Sequence, residues 1–209
     1  EEIRRSHRIV PTRLIRLRAK IESVSSDEFA EADIFAVFSR IMNKHKDMYS
    51  QEADLKKHNV NPNSRNNTPL LQRVSHIWDV ILKAVDLELF RHMQLRQVNP
   101  RSFLCRWVRP LLFGQFGIAE TLAVWDNIFL QFFIKKEGHF DHLDFLCAAM
   151  LIYLREITLN KESSLQIMQI YEKFPTVNGT YFQELISLSW TLRELYDEIL
   201  TTGAGSPSL

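Results

Sequence analysis

At 209 residues the chain has the length of one domain or two small lobes and can bury a substantial core. Hydrophobic residues make up 45% and charged residues 24%, which excludes a largely disordered chain, and two cysteines are too few for a disulfide framework. The net charge is only +1, yet residues 1–20 hold seven Lys/Arg against two Glu. A basic arm of this kind can meet nucleic acid or an anionic membrane. Here no aromatic residue is interleaved to stack bases, and Leu14, Leu17 and Ile21 recur at helical spacing, so 1–24 reads as a basic, solvated helical segment. No N-terminal signal pattern is visible and the chain does not begin with Met, which fits a fragment of a longer protein. The longest apolar run, 145–154, falls far short of the roughly 20 residues that span a bilayer. A cytoplasmic protein with two packed, reduced thiols, Cys105 and Cys147, is expected.

No sustained period-2 alternation marks a strand, and helical patterns fill most of the length. Ser25-Ser26-Asp27-Glu28 reads as a capping box, in which the Ser25 hydroxyl and the Glu28 carboxylate satisfy each other's backbone N–H groups. The helix it opens places Ile34, Phe38, Ile41 and Met42 on one core-facing side and fades near Tyr49. Residues 55–69, rich in Asn and holding two prolines, form a flexible loop. A helix over 70–83 follows, with Val74, Ile77, Trp78 and Ile81 on one side, and Asp86 caps a short helix carrying Leu89, Phe90 and Met93. Asn99-Pro100 is a sharp helix start: Asn accepts from first-turn amides and Pro occupies the first helical position. Pro110 kinks or shortens this helix, and Gly114 and Gly117 bracket its stop. The next helix sets Ile118, Leu122, Trp125 and Phe129 at spacings of four, three and four. Asp141 or Asp144 then caps a helix that is apolar almost all round over 145–153, which belongs at the centre of a bundle. An amphipathic helix over 161–173 ends before Pro175, and the last runs from Gly179 or Thr180 to about Leu200, ahead of a polar, flexible tail over 201–209.

The densest chemistry lies after Pro100. Arg106 and Arg109 are three apart and neighbour each other on one helix face, while Trp107 and Leu111 share a second, apolar face. Trp125 is adjacent to Asp126 on the following helix. The physical expectation is two antiparallel helices packing their tryptophans, with an Arg–Asp pair near the core.

The order Pro100…Phe103…Arg106-Trp107-Val108-Arg109…Leu112-Phe113…Phe116…Leu122…Trp125-Asp126…Phe129 resembles the second half of the TBC domain of Rab GTPase-activating proteins. Asp33 to Met42, Leu87 to Met93, Ala148 to Arg155 and Tyr171 to Pro175 resemble further helices of that family in the same order, so the likeness covers roughly 28–195. It implies an all-α, helical TBC-type fold, dominated by its C-terminal subdomain and carrying an extra N-terminal basic helix. The TBC-like domain then occupies 25–200. It also implies that Arg106, Trp107, Arg109, Trp125 and Asp126 are family-signature residues with a structural role and no catalytic one.

The family accelerates GTP hydrolysis with an Arg inside Ile-x-x-Asp-x-x-Arg and a Gln inside Tyr-x-Gln, both placed before the helix that Asp33 opens here. The Arg offsets charge developing on the phosphoryl group and the Gln orients the attacking water. Neither motif is recognisable. Arg8-Ile9-Val10-Pro11 echoes the end of the first, but Arg5 stands at the Asp position and Glu2 at the Ile position; Tyr49-Ser50-Gln51 spells the second on the wrong side of the Asp33 helix. The expected function is part of a Rab GTPase-activating protein in vesicle traffic, without its fingers; the alternative is a non-catalytic TBC-like interaction module. The implied partner is a GTP-bound Rab-type small GTPase, with peripheral contact with endomembranes through that partner, no nucleic acid and no cofactor.

His139-Phe140-Asp141-His142-Leu143-Asp144 invites a metal reading, but so short a run cannot close round one ion unaided, and helix capping by the two Asp is preferred. Cys147, in an apolar helix, reads as a packed thiol and not a nucleophile. No phosphate loop, Ser/His/Asp arrangement or acid/base carboxylate pair stands out.

Overall fold

A computed structural model describes residues 29–50, 68–135, 140–177 and 179–202; the basic arm 1–24, the capping box at Ser25, Gln51, the loop 55–67, His139 and the tail 203–209 lie outside the described residues. Every regular element among the described residues is helical, as the sequence predicts. The elements are α1 (Ala30–His45), a 3-10 turn (Lys46–Tyr49), α2 (Pro69–Ser75), a π-helical segment (His76–Leu82), α3 (Lys83–Val85), α4 (Leu87–Leu95), α5 (Arg101–Val108), α6 (Ile118–Lys135), α7 (His142–Tyr153), α8 (Arg155–Leu159), α9 (Ser164–Glu172) and α10 (Gly179–Thr202). The chain divides into two compact units between Lys44 and His45.

Local cap chemistry sets three of the helix starts. Thr68 opens α2 by accepting from the Leu71 N–H at 3.2 Å, with Pro69 at the first position. Asp86 opens α4 by accepting from the Leu89 N–H at 3.0 Å. Asn99 accepts from the Arg101 N–H at 3.1 Å to start α5. Between α2 and α3 a π-helical turn carries two adjacent pairs, Ile77–Trp78 and Ile81–Leu82, all four buried in the core.

The second unit is organised around α7, whose residues from His142 to Leu151 are all buried. Helix α10 packs along it, and α5, α6, α8 and the π segment close its other sides. An aromatic cluster fills the space beside α5. Phe103 stacks on Tyr171 at 5.0 Å and lies 5.4 Å from Trp107, with Trp78 edge-on to Phe90 and Phe103. The buried Tyr171 hydroxyl meets the Thr158 hydroxyl at 2.7 Å and donates to the Leu151 carbonyl at 3.2 Å, tying α9 to the α7–α8 junction.

Three expectations are corrected here. Ile34 and Phe38 on α1 are exposed, Ile41 and Met42 are half-buried, and the buried residue of that helix is His45. Periodicity marks a face able to be buried; it does not supply what covers it. On α6 the buried stripe is Thr121, Val124 and Ile128, one step round from the predicted face, and Ile118 and Leu122 are exposed. Asp144 does not cap α7: its carboxylate pairs with the Arg73 Nε at 2.5 Å, both side chains being nearly buried, and Asp141 at the cap position makes no side-chain bond to the helix. Burial pushes the Asp144 carboxyl upward against the opposing pull of the Arg73 charge and hydrogen bond.

Candidate functional site

Helix α5 stops at Val108 because Pro110 has no N–H to return to the Arg106 carbonyl, six residues before the glycine at which the stop is predicted. The chain then makes a tight turn. The Leu112 N–H reaches back to the Trp107 carbonyl at 2.8 Å, and Leu111 and Leu112 both adopt left-handed conformations, at φ 54° and 64°. Gly114, at φ 84°, suits that region, but a leucine there costs of order 1–3 kcal/mol, so surrounding contacts must hold each one. The burial of both leucine side chains is one such contact. A second is the Trp125 indole, whose Nε1–H donates to the Leu111 carbonyl at 2.9 Å.

Two carbonyls at the end of α5 receive donors from a distant part of the chain. The Nε2 of His45 lies 3.1 Å from the Val108 carbonyl and 2.9 Å from that of Arg109, so it carries the proton and donates to both. The Tyr49 hydroxyl donates to the Arg109 carbonyl at 2.9 Å. His45 is almost fully buried and its Nδ1 has no partner, so a second proton has nowhere favourable to go; burial lowers its pKa, and the Arg73 charge lowers it further, against the raising effect of the two carbonyls. Neither residue was legible as a clamp: Tyr49 stood out only within Tyr49-Ser50-Gln51.

The five signature residues divide by environment. Trp107 is 1% exposed and packs edge-on to Tyr171 at 6.1 Å and Phe174 at 5.9 Å. Trp125 is half-buried, beside Phe113 at 6.5 Å and Phe129 at 6.2 Å. The two indoles therefore sit in separate aromatic clusters and do not pack on each other. Arg106, Arg109 and Asp126 are exposed, and among the described residues no ion pair joins them, so the Arg–Asp pair expected near the core is not formed. A buried pair has to recover a large desolvation penalty, and on an exposed face nothing demands it. Arg109 is nonetheless oriented: its Nε donates to the Met48 carbonyl at 3.4 Å and its guanidinium lies 5.9 Å from the centre of the Tyr49 ring.

The other candidates disperse. His142 is fully buried, stacks on Trp190 at 4.0 Å, and its Nε2 lies 3.2 Å from the Ser189 hydroxyl, whereas Asp144 turns to Arg73. Among the described residues no group of three or more His, Cys, Asp or Glu side chains could hold a metal ion. Burial raises the pKa of both the Cys105 and Cys147 thiols, the buried Asp144 adding to the effect at Cys147, so neither gains thiolate character. Arg8 lies outside the described residues. No described helix is long and apolar enough to cross a membrane.

Comparison with known proteins matches residues 24–159 to the Rab-GTPase-TBC domain. The chain is 33% identical over 109 residues to TBC1 domain family member 5 homolog B of Dictyostelium discoideum, covering 52% of this chain and 10% of that protein. It is 30% identical over 180 residues to human TBC1 domain family member 5, covering 79% of this chain and 22% of the relative. Human TBC1 domain family member 13 is 26% identical over 148 residues, or 71% of this chain and 33% of that protein. The chain thus spans between a tenth and a third of the length of these relatives.

Proposed function

Because the chain belongs to the Rab-GTPase-TBC domain family, we propose that it forms part of a GTPase-activating protein acting on a Rab-type small GTPase in vesicle traffic. Its share of the work is the GTPase-facing surface and the scaffold behind it. The observation that carries this reading is the family match itself, which runs from the start of α1 through α8 and includes the whole signature segment. Proteins of this family regulate an enzyme and are not enzymes in the ordinary sense: the GTPase holds the nucleotide, and the partner adds charge and orients water. The implied target is the GTP-bound GTPase, encountered in the cytoplasm at endomembranes, to which the GTPase brings its partner.

Trp107 and Trp125 serve the fold on this reading, one by filling the aromatic cluster beside α5, the other by holding the left-handed turn. The second reading is a TBC-like interaction module that binds a GTPase without accelerating it. It is the alternative because neither finger motif is recognisable within these 209 residues. Both readings expect this chain to bind a Rab GTPase without accelerating it; single-turnover GTP hydrolysis with the longer protein that contains it separates the two. Acceleration there supports the first reading, and binding without acceleration supports the interaction module. Acceleration by this chain alone, abolished by Arg8→Ala, would assign it a finger of its own.

A further inference from the structure

We infer that the turn following α5 is an interaction surface in which Arg109, Tyr49 and Phe113, flanked by Arg106, grip a carboxylate set beside an apolar side chain on a protein partner. The inference rests on the reading above, under which that partner is the GTPase.

The turn is built for rigidity. Its backbone is fixed at three points: the Arg109 carbonyl by His45 and Tyr49, the Leu111 carbonyl by Trp125, and the Leu112 N–H by the Trp107 carbonyl. Two consecutive leucines are held in left-handed conformations, and strain of this kind persists where surrounding contacts over-determine it. The outcome is a fixed display. Leu111 and Leu112 turn inward, while Phe113 is 61% exposed and Tyr49 48% exposed.

The side chains displayed are those that carry binding energy in protein interfaces, where aromatic residues and Arg are over-represented among the residues that matter. Arg109 has its Nε on the Met48 carbonyl and its Cζ over the Tyr49 ring, which leaves the guanidinium less freedom to lose on binding. Among the described residues neither Arg106 nor Arg109 meets a carboxylate. Charge complementarity therefore asks for an acid from the partner, and a planar guanidinium binds a carboxylate with two parallel hydrogen bonds. Guanidiniums set beside exposed aromatic rings suit an acid on a protein surface better than a phosphate backbone or an anionic bilayer, which are held mainly by clusters of cations. A second copy of this chain would set like charges against one another across a two-fold axis.

The test uses the full chain, with Arg109→Glu, Arg106→Glu and Phe113→Ser, against a panel of Rab GTPases loaded with a non-hydrolysable GTP analogue. All three side chains are exposed and the clamp acts through the Arg109 backbone, so melting temperatures should stay near that of the wild type and confirm intact folds. Arg109→Glu and Phe113→Ser should each weaken binding about tenfold or more, Arg106→Glu less, and the wild-type affinity should fall with added salt. If the wild type binds a GTPase and the folded Arg109 and Phe113 variants bind it equally well, the inference is overturned while the proposed function stands. If the wild type binds no GTPase, both fall. Binding to anionic vesicles, or self-association, that is lost in the same variants would assign the surface to another occupant and overturn the inference.

Discussion

Acid should loosen the α7–α10 interface through one side chain. His142 is fully buried, stacked on Trp190 at 4.0 Å, with its Nε2 near the Ser189 hydroxyl and no partner at Nδ1. Burial, reinforced by the charge of Arg193, lowers its pKa from 6.5 to about 4. As pH falls through 6.5 the unfolded chain takes up this proton first, so stability present above pH 6.5 drains away until the folded state also protonates near pH 4. Linkage then puts the loss from this group at about 2 kcal/mol by pH 5 and about 3 kcal/mol by pH 4. The assay is urea unfolding at pH 7.5, 6 and 5 for the wild type and His142→Phe. The phenylalanine keeps the stack, and Ser189 keeps its bond to the Ile186 carbonyl. His45 and Asp144 titrate in both proteins and cancel in the difference. The variant should be less stable than or equal to the wild type at pH 7.5, yet lose about 2 kcal/mol less on going to pH 5. Parallel stability profiles for the two proteins would refute the reasoning.

Trp107→Ala should cost about 3–5 kcal/mol by urea unfolding, the range for emptying a buried aromatic site. Trp125→Phe should cost about 1–2 kcal/mol: it removes the hydrogen bond to the Leu111 carbonyl but keeps most of the packing, and a loss as large as that for Trp107→Ala would show the indole N–H to be misassigned as a local brace. Arg73→Met strands the buried Asp144 carboxylate and should cost about 3–5 kcal/mol at pH 7, measured by the same unfolding. Because the raised pKa of Asp144 lets the folded state take up a proton before the unfolded one, that penalty should shrink at pH 5. Cys147 should react with a thiol-specific disulfide reagent only as fast as the protein opens, and Cys105, half-buried, appreciably faster.

What the sequence discloses here is chemistry that acts over a few residues. Asp86 caps its helix as predicted, and Asn99 accepts from the Arg101 N–H although Pro100 takes the cap position, because a helix start needs only its own first turn. The all-round apolar pattern of α7 correctly marks the bundle centre. Facing is harder: the exposed Ile34 and Phe38 of α1, and Ile118 and Leu122 of α6, show that a periodic apolar stripe does not name its partner. Contacts spanning many residues are the least visible. The His45 clamp on α5 joins residues 63 and 64 positions apart, and the Arg73–Asp144 pair spans 71. No local pattern in the sequence signals either. Trp125 was visible as a signature residue, but its task, holding a left-handed leucine, depends on a turn that Pro110 forces and that no propensity favours.

The most direct test of the account is single-turnover GTP hydrolysis by a Rab panel with this chain in excess, run beside equilibrium binding of the same GTPases carrying a GTP analogue. The account predicts that at least one GTPase binds and that its hydrolysis rate is unchanged. Acceleration that disappears in Arg8→Ala would contradict the view that the chain carries no finger of its own, and absence of binding across the panel would contradict its GTPase-facing role.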